Sequence, residues 1–351
     1  MGCFISSKPA DTVGLVVSSN APLYLVSVPR SGATLLGAML NSHKNIAMFN
    51  EPWFFHMMPK YGTLQRRRNI EMVVDDLCAA AKRFGVLMNP EFKGCVLDET
   101  SRLDLPKPLD VFAVFLELYA KHLGKHRWGV KQPWGTFDVP SLMDHFSDLK
   151  VIHIVRDPRA TVAYRMGKEF DGKENLVCSL QYSKSGSQIL LFLNRVHKLD
   201  RTNYFELRYE DLVRNPEEWL KHICDFLNED YDPGMLKYHT AVNPYVPRGK
   251  DGHPVATHLG VLTPVHTQDV DSWDCLLSWR EKAIVERTCY SVMIRYGYQP
   301  ASSRREIETL LFHVTALRLQ LRLAKNFFRR RIVEGIFHTC RKVAVMLFCR
   351  D

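Results

Sequence analysis

The feature that most constrains this chain is a short apolar run followed at once by a Pro-Arg-Ser-Gly turn and a helical pattern. Residues 23 to 28 are the reading for a buried strand. The run breaks at Pro29, passes through Arg30, Ser31 and Gly32, and enters the helical pattern Leu35, Leu36, Met39 and Leu40. A strand, a tight turn and a helix start make an anion site. The first N–H groups of a helix have no intrahelical acceptor, and the dipole adds roughly half a positive charge, so phosphate or sulfate can sit there. Arg30 supplies a full charge, and Ser31 and Thr34 supply hydroxyl donors.

The turn is not a Walker A loop, in which a lysine follows the second glycine and a hydroxyl holds magnesium. Here the cation, Arg30, precedes the only glycine of the turn, Gly32, which disfavours a magnesium-dependent kinase. The stretch instead resembles the phosphosulfate-binding loop of sulfotransferases that use PAPS (3′-phosphoadenosine 5′-phosphosulfate), with the pattern P-[RK]-S-G-[TS]-[TS]. Ala33 stands where that pattern has Thr or Ser. Glu51 follows Arg30 by 21 positions, in an Asn-Glu-Pro-Trp turn, and looks like the glutamate that serves as base in the carbohydrate and protein-tyrosine branches.

Three further landmarks occur in the family's order. Residues 127 to 133 read as a short strand ending in Lys131-Gln132-Pro133. The resemblance gives Lys131 the task of neutralising charge at the transferring group, with Gln132 replacing Thr or Asp. Residues 151 to 155 read as a central parallel strand with Arg156 and Asp157 at its carboxyl end and Pro158 starting a helix. The Arg-Asp-Pro-Arg-Ala run resembles the segment that holds the nucleotide 3′-phosphate through its first arginine and a serine eight residues later, a position occupied here by Tyr164. The bland alternative is an Arg156–Asp157 pair closing a strand end. Last, Arg-Tyr-Glu-Asp-Leu at 208 to 212 resembles the family segment in which the tyrosine, here Tyr209, lies near the adenine.

Between the landmarks, apolar residues recur at helical spacing over 75–84, 110–123 and 176–199, and residues 204 to 207 read as a strand. Pro216, Glu217 and Glu218 start a helix, and a closing helix runs from Trp279 to Tyr296. Arg66, Arg67 and Arg68 read as a solvated face. Residues 242–272 are rich in Pro, Gly and His, the reading for a lid or acceptor loop. Arg248-Gly249-Lys250 is a candidate phosphate contact there. Histidines 239, 253, 258 and 266 keep no metal-site spacing.

A formal charge of +9 suggests nucleic acid at first sight, but residues 301–351 hold 11 Lys or Arg against 4 Asp or Glu, which leaves +2 for the rest. The basicity belongs to a tail, so a nucleic-acid partner is not expected. Residues 307–331 interleave apolar positions with arginines, a pattern suited to an anionic membrane surface or to packing on the domain. The nine cysteines include no C-x-x-C pair, there is no Asn-x-Ser/Thr sequon, and no 18-residue apolar run occurs. Met1-Gly2-Cys3-Phe4-Ile5-Ser6 fits N-myristoylation at Gly2, with Cys3 placed for palmitoylation. The expected organisation is an N-terminal segment 1–21, a sulfotransferase domain 22–300 and a basic helical tail 301–351.

The resemblance implies a P-loop-like three-layer α/β fold, a central parallel sheet flanked by helices. It also implies transfer of the sulfuryl group of PAPS to a hydroxyl acceptor, a carbohydrate first, with Glu51 as base and no metal. Arg30, Ser31, Gly32, Ala33, Thr34, Arg156, Tyr164 and Tyr209 would hold the nucleotide. Protein tyrosine or a small molecule are alternative acceptors. Ala33, Gln132 and Tyr164 motivate a competing reading, an inactive nucleotide-binding or membrane scaffold. The expected location is cytoplasmic with an acyl anchor, or Golgi if an anchor precedes this sequence.

Overall fold

A computed structural model describes residues 21–61, 64, 67–133, 135, 138–166, 199, 202–240 and 256–301. Five parallel strands form one sheet: β1 (Leu23–Ser27), β2 (Ile46–Asn50), β3 (Arg127–Pro133), β4 (Lys150–Val155) and β5 (Tyr204–Arg208), in the order β2-β3-β1-β4-β5. Every residue of β1 and β2 is buried, as expected of strands covered on both faces.

Side chains alternate across the sheet and sort into two cores. On one face Tyr24, Val26, Phe49 and Val130 pack with Val73, Leu77, Phe112 and Phe115 of helices α3 (Arg67–Arg83) and α5 (Pro108–His122). On the other, Leu23, Leu25, Met48, Ile152 and Ile154 pack with Leu36 and Met39 of α1 (Ala33–Asn41) and with Leu212, Leu220 and Ile223. Those last three lie on α8 (Tyr209–Arg214) and α9 (Pro216–Leu227), which follow β5. The remaining α-helices among the described residues are α2 (Phe54–Met57), α4 (Pro90–Ser101), α6 (Val139–His145), α7 (Pro158–Met166), α10 (Trp273–Leu276), α11 (Trp279–Thr288) and α12 (Tyr290–Arg295).

The chain leaves central β1, reaches edge strand β2, returns to β3 and crosses to β4, so the sheet reverses its winding at β1. Ligands of open α/β sheets bind beyond the carboxyl ends of the strands at such a point. Ser27 at the end of β1 lies opposite Pro133 on one side and Ile154 on the other, and Asn50 pairs with Lys131. That register brings the turns after all five strands to one rim.

Two expectations are corrected. The closing helix is broken at Cys289, whose backbone (φ −104, ψ 13) departs from helical values; the break lets Cys289 and Met293 pack with Val155 and Tyr298. Within the lid-like stretch, Ala256–Leu262 forms a 3-10 turn. The 176–199 pattern except Leu199, Arg66, Arg248-Gly249-Lys250, His253, Gly2, Cys3 and the tail from 302 lie outside the described residues. Arg67 and Arg68 are exposed, and Arg67 pairs with Glu71 at 3.3 Å.

Candidate active site

The turn after β1 is the candidate anion seat that the sequence expects. Ser31 N–H donates to the Val28 carbonyl at 3.2 Å, and Leu36 N–H donates to the Gly32 carbonyl at 3.1 Å as the first bonds of α1 form. Arg30 and Gly32 both take left-handed backbone, φ +75 and +92. At Gly32 any side chain would force a shift, because a Cβ would lie 2.3 Å from Cδ2 of Tyr209. The loop therefore rests on a tyrosine ring. Ser31 is buried, and Ala33 is buried within the α1 core cluster, an apolar setting that suits a methyl group where the family pattern has a hydroxyl.

Each arginine of the seat lies on an aromatic ring. The Arg30 guanidinium lies 3.9 Å from the ring centre of Tyr164, and that of Arg156 lies 4.3 Å from Tyr209. Tyr164 thus meets Arg30, and Tyr209 buttresses Gly32. Arg156 also donates to two carbonyls, Arg30 at 3.4 Å and Asp269 at 3.0 Å, tying the loop to the segment before α10. Its Nε is buried without a hydrogen-bond partner, an orphan donor at the place where the sequence expects a phosphate. Burial pushes the Tyr209 phenol up, with nearby Arg156 acting in the opposite sense.

Asp157 does not pair with Arg156. Its carboxylate accepts from the Arg159 backbone N–H at 2.8 Å and from Arg159 Nη2 at 2.7 Å. Arg159 extends to Glu286 on α11 at 2.8 Å and lies 3.8 Å from the Trp273 ring centre. The pairing follows from position, since Asp157 sits just before α7 and the third residue of its own turn is in reach. Glu210, the landmark's acidic residue, accepts from Asp157 N–H at 2.9 Å and from Tyr298 at 2.7 Å. These contacts lock the rim from behind, and burial raises the Glu210 carboxyl.

Glu51 follows β2, at the carboxyl ends of the strands. Lys131, fully buried on β3, holds its Oε1 at 2.5 Å, while Glu51 N–H donates to the Lys131 carbonyl at 2.9 Å. The Glu51 carboxylate is one-fifth exposed, so it is the open member of the pair. Two contacts were not legible in the sequence: Arg83 Nη2 donates to the Glu51 carbonyl at 2.8 Å, and Gln132 Oε1 accepts from Trp53 N–H at 3.1 Å. Of the candidate histidines, His266 is exposed. Among the described residues no group of His, Cys, Asp and Glu could hold a metal, and no helix is long and apolar enough to cross a membrane.

A parallel sheet flanked by helices, with an Arg-Ser-Gly turn at its switch point, defines a P-loop-like three-layer α/β fold. A model of the sulfotransferase family matches residues 22–233, and the chain belongs to that family. It is 26% identical over 239 residues to mouse carbohydrate sulfotransferase 2, covering 56% of this chain but 44% of that protein, so it spans less than half the length of this relative. It is 22% identical over 292 residues to Caenorhabditis elegans protein-tyrosine sulfotransferase A, covering 79% of this chain and 67% of that one. The sulfotransferase domain of the Synechococcus PCC 7002 olefin synthase shares the fold, with a TM-score of 0.56 at 21% identity over 80% of this chain and 96% of that one.

Proposed function

We propose that the protein is a PAPS-dependent sulfotransferase acting on a carbohydrate hydroxyl, with Glu51 as general base. The observation that carries this reading is the Glu51 carboxylate, presented at the same strand rim as the Arg30 loop and fixed by a buried lysine. An alcohol attacks poorly unless its proton leaves as the new bond forms, and a carboxylate within hydrogen-bond reach meets that need. PAPS, when bound, supplies the sulfuryl group and a phosphate leaving group. The chain's own residues do the rest. Loop N–H groups and Arg30 receive the phosphosulfate, Arg156 with its orphan Nε receives the second phosphate, and Glu51 accepts the acceptor's proton. Lys131 keeps the carboxylate in place. The match to a carbohydrate relative supports the acceptor class, and tyrosine peptides are the second acceptor to test.

The test is a mass-spectrometric screen of glycans, tyrosine peptides and phenols with PAPS, in which a sulfated glycan with matching PAP, the desulfated nucleotide, is the expected product. PAP binding without any transfer would select the scaffold reading, which Ala33 and the Arg30–Tyr164 contact favour. Acylation at Gly2 and Cys3, with the basic tail, would hold the protein on an anionic membrane. In a myristoylation-competent cell, Gly2→Ala is expected to move it from the membrane pellet to the soluble fraction; a wild type already soluble there would refute the anchor.

A further inference from the structure

The Glu51-Pro52-Trp53 turn is built from backbone that ordinary residues avoid. Glu51 has φ +42 and Trp53 has φ +51, both in the left-handed region, and a bulky side chain such as tryptophan is rarely found there. Strain of this kind persists only where the surroundings over-determine the conformation, and it gathers at ligand clamps and active sites. The restraints here can be accounted for one by one.

Pro52 has no N–H, so the turn has two backbone donors, and both go to β3. Glu51 N–H reaches the Lys131 carbonyl, and Trp53 N–H reaches the Gln132 side chain. A backbone N–H can only donate, so the amide oxygen of Gln132 must face it, and the amide nitrogen then donates to the Pro133 carbonyl at 3.1 Å. Gln132 is itself buried, so water is not at hand to replace the bond. The two residues that define the turn are thus held by two consecutive residues of one strand: Lys131 grips Glu51 at backbone and carboxylate, and Gln132 grips Trp53. Arg83 closes the third side at the Glu51 carbonyl.

We infer that Gln132 is a positioning residue for the general base: by holding Trp53 N–H it keeps the strained turn in the one conformation that aims the Glu51 carboxylate at the acceptor. The inference rests on the reading of Glu51 as base. It assigns a task to a residue that replaces the Thr or Asp of the family pattern, and it requires no contact between Gln132 and any ligand.

The test is a double-mutant cycle with Glu51→Gln, Gln132→Met and the combined variant. The assay is radiolabelled PAPS with a panel of p-nitrophenyl glycosides and one tyrosine peptide, the best acceptor being used throughout. Gln132→Met nearly preserves volume and removes the acceptor oxygen. It is expected to lower turnover between about tenfold and a hundredfold, the scale of a misplaced catalytic group, while PAP affinity stays within about twofold. If Gln132 acts through Glu51, the combined variant is no slower than Glu51→Gln alone. Gln132→Glu, which keeps an oxygen for Trp53 N–H, is expected to recover part of the loss. Wild-type turnover in Gln132→Met, a multiplicative loss in the combined variant, no recovery with Glu, or loss of PAP binding would each overturn the inference while leaving Glu51 as base. Wild-type turnover in Glu51→Gln would instead remove the base reading, and Gln132's role with it.

Discussion

Replacing Gly32 by alanine tests the anion seat with one methyl group. At φ +92 an alanine pays the left-handed penalty of about 1–2 kcal/mol. Its Cβ would lie 2.3 Å from Cδ2, 2.9 Å from Cε2 and 3.3 Å from Cγ of Tyr209. Restoring ordinary contact at about 3.5–4 Å requires the ring to retreat by over about 1 Å, and overpacking of this kind costs about 1–3 kcal/mol. Tyr209 cannot retreat alone, because Arg156 lies on its ring and donates to the Arg30 and Asp269 carbonyls. The sum of about 2–5 kcal/mol is within the stability of an ordinary domain, so the protein should fold with Tm lowered by roughly 5–10 °C. The loop should not keep its shape, and calorimetry should show PAP binding at least tenfold weaker. Gly129→Ala is the control. Its Cβ meets Met48 Sδ at 2.5 Å and Leu23 Cβ at 3.1 Å within the core, so it should lower Tm and leave PAP affinity alone. Wild-type PAP affinity in Gly32→Ala would refute the seat.

Arg156→Ala should weaken PAP binding by roughly tenfold or more, the worth of a charge-assisted contact of about 1.5–3 kcal/mol, and unchanged affinity in calorimetry would take Arg156 out of the site. A second prediction concerns acid stability. Glu206 on β5 accepts from Tyr204 at 2.6 Å and Tyr296 at 2.8 Å and contacts His153 at 3.3 Å. Burial pushes its carboxyl up, but the hydrogen bond and charge of His153, followed by the two tyrosine hydroxyls, outweigh burial and hold it at about 2, against an ordinary 4.5. The folded value is depressed, so the stabilisation is complete above about pH 4.5 and is lost as pH falls towards 2, an amount on the order of 3 kcal/mol. Urea unfolding between pH 6 and pH 3 should show about 2 kcal/mol of this loss in the wild type and much less in Glu206→Gln; equal slopes would refute it.

The sheet was legible because parallel strands buried on both faces are written as apolar runs, as at 23–28 and 151–155, with proline or a charged pair marking each carboxyl end. The site's residues were legible as a list but not as contacts. Lys131 and Glu51 are 80 positions apart, and only the β2–β3 register, with Asn50 opposite Lys131, brings them to 2.5 Å. The sequence names Lys131 as a charge near the transferring group, and the structure adds that it is buried and ion-paired to Glu51. Tyr209 reads as an adenine contact, and the sequence does not show that its ring also packs against Gly32. Gln132 reads as a departure from the family, because nothing in the sequence says that Trp53 N–H needs an acceptor outside its own turn. The same holds for Asp157, whose nearest charged neighbour in sequence is Arg156 but whose partner is Arg159, placed by the first turn of α7.

The central claim is that Glu51 takes the acceptor's proton, and the direct measurement is sulfate transfer from labelled PAPS by Glu51→Gln beside calorimetry of its PAP binding. The carboxylate-to-amide change keeps shape and removes basicity. Turnover is expected to fall by about 10² or more, the scale of general base catalysis, while PAP affinity stays within a few-fold of wild type. Turnover near that of the wild type, with PAP bound equally well, would contradict it.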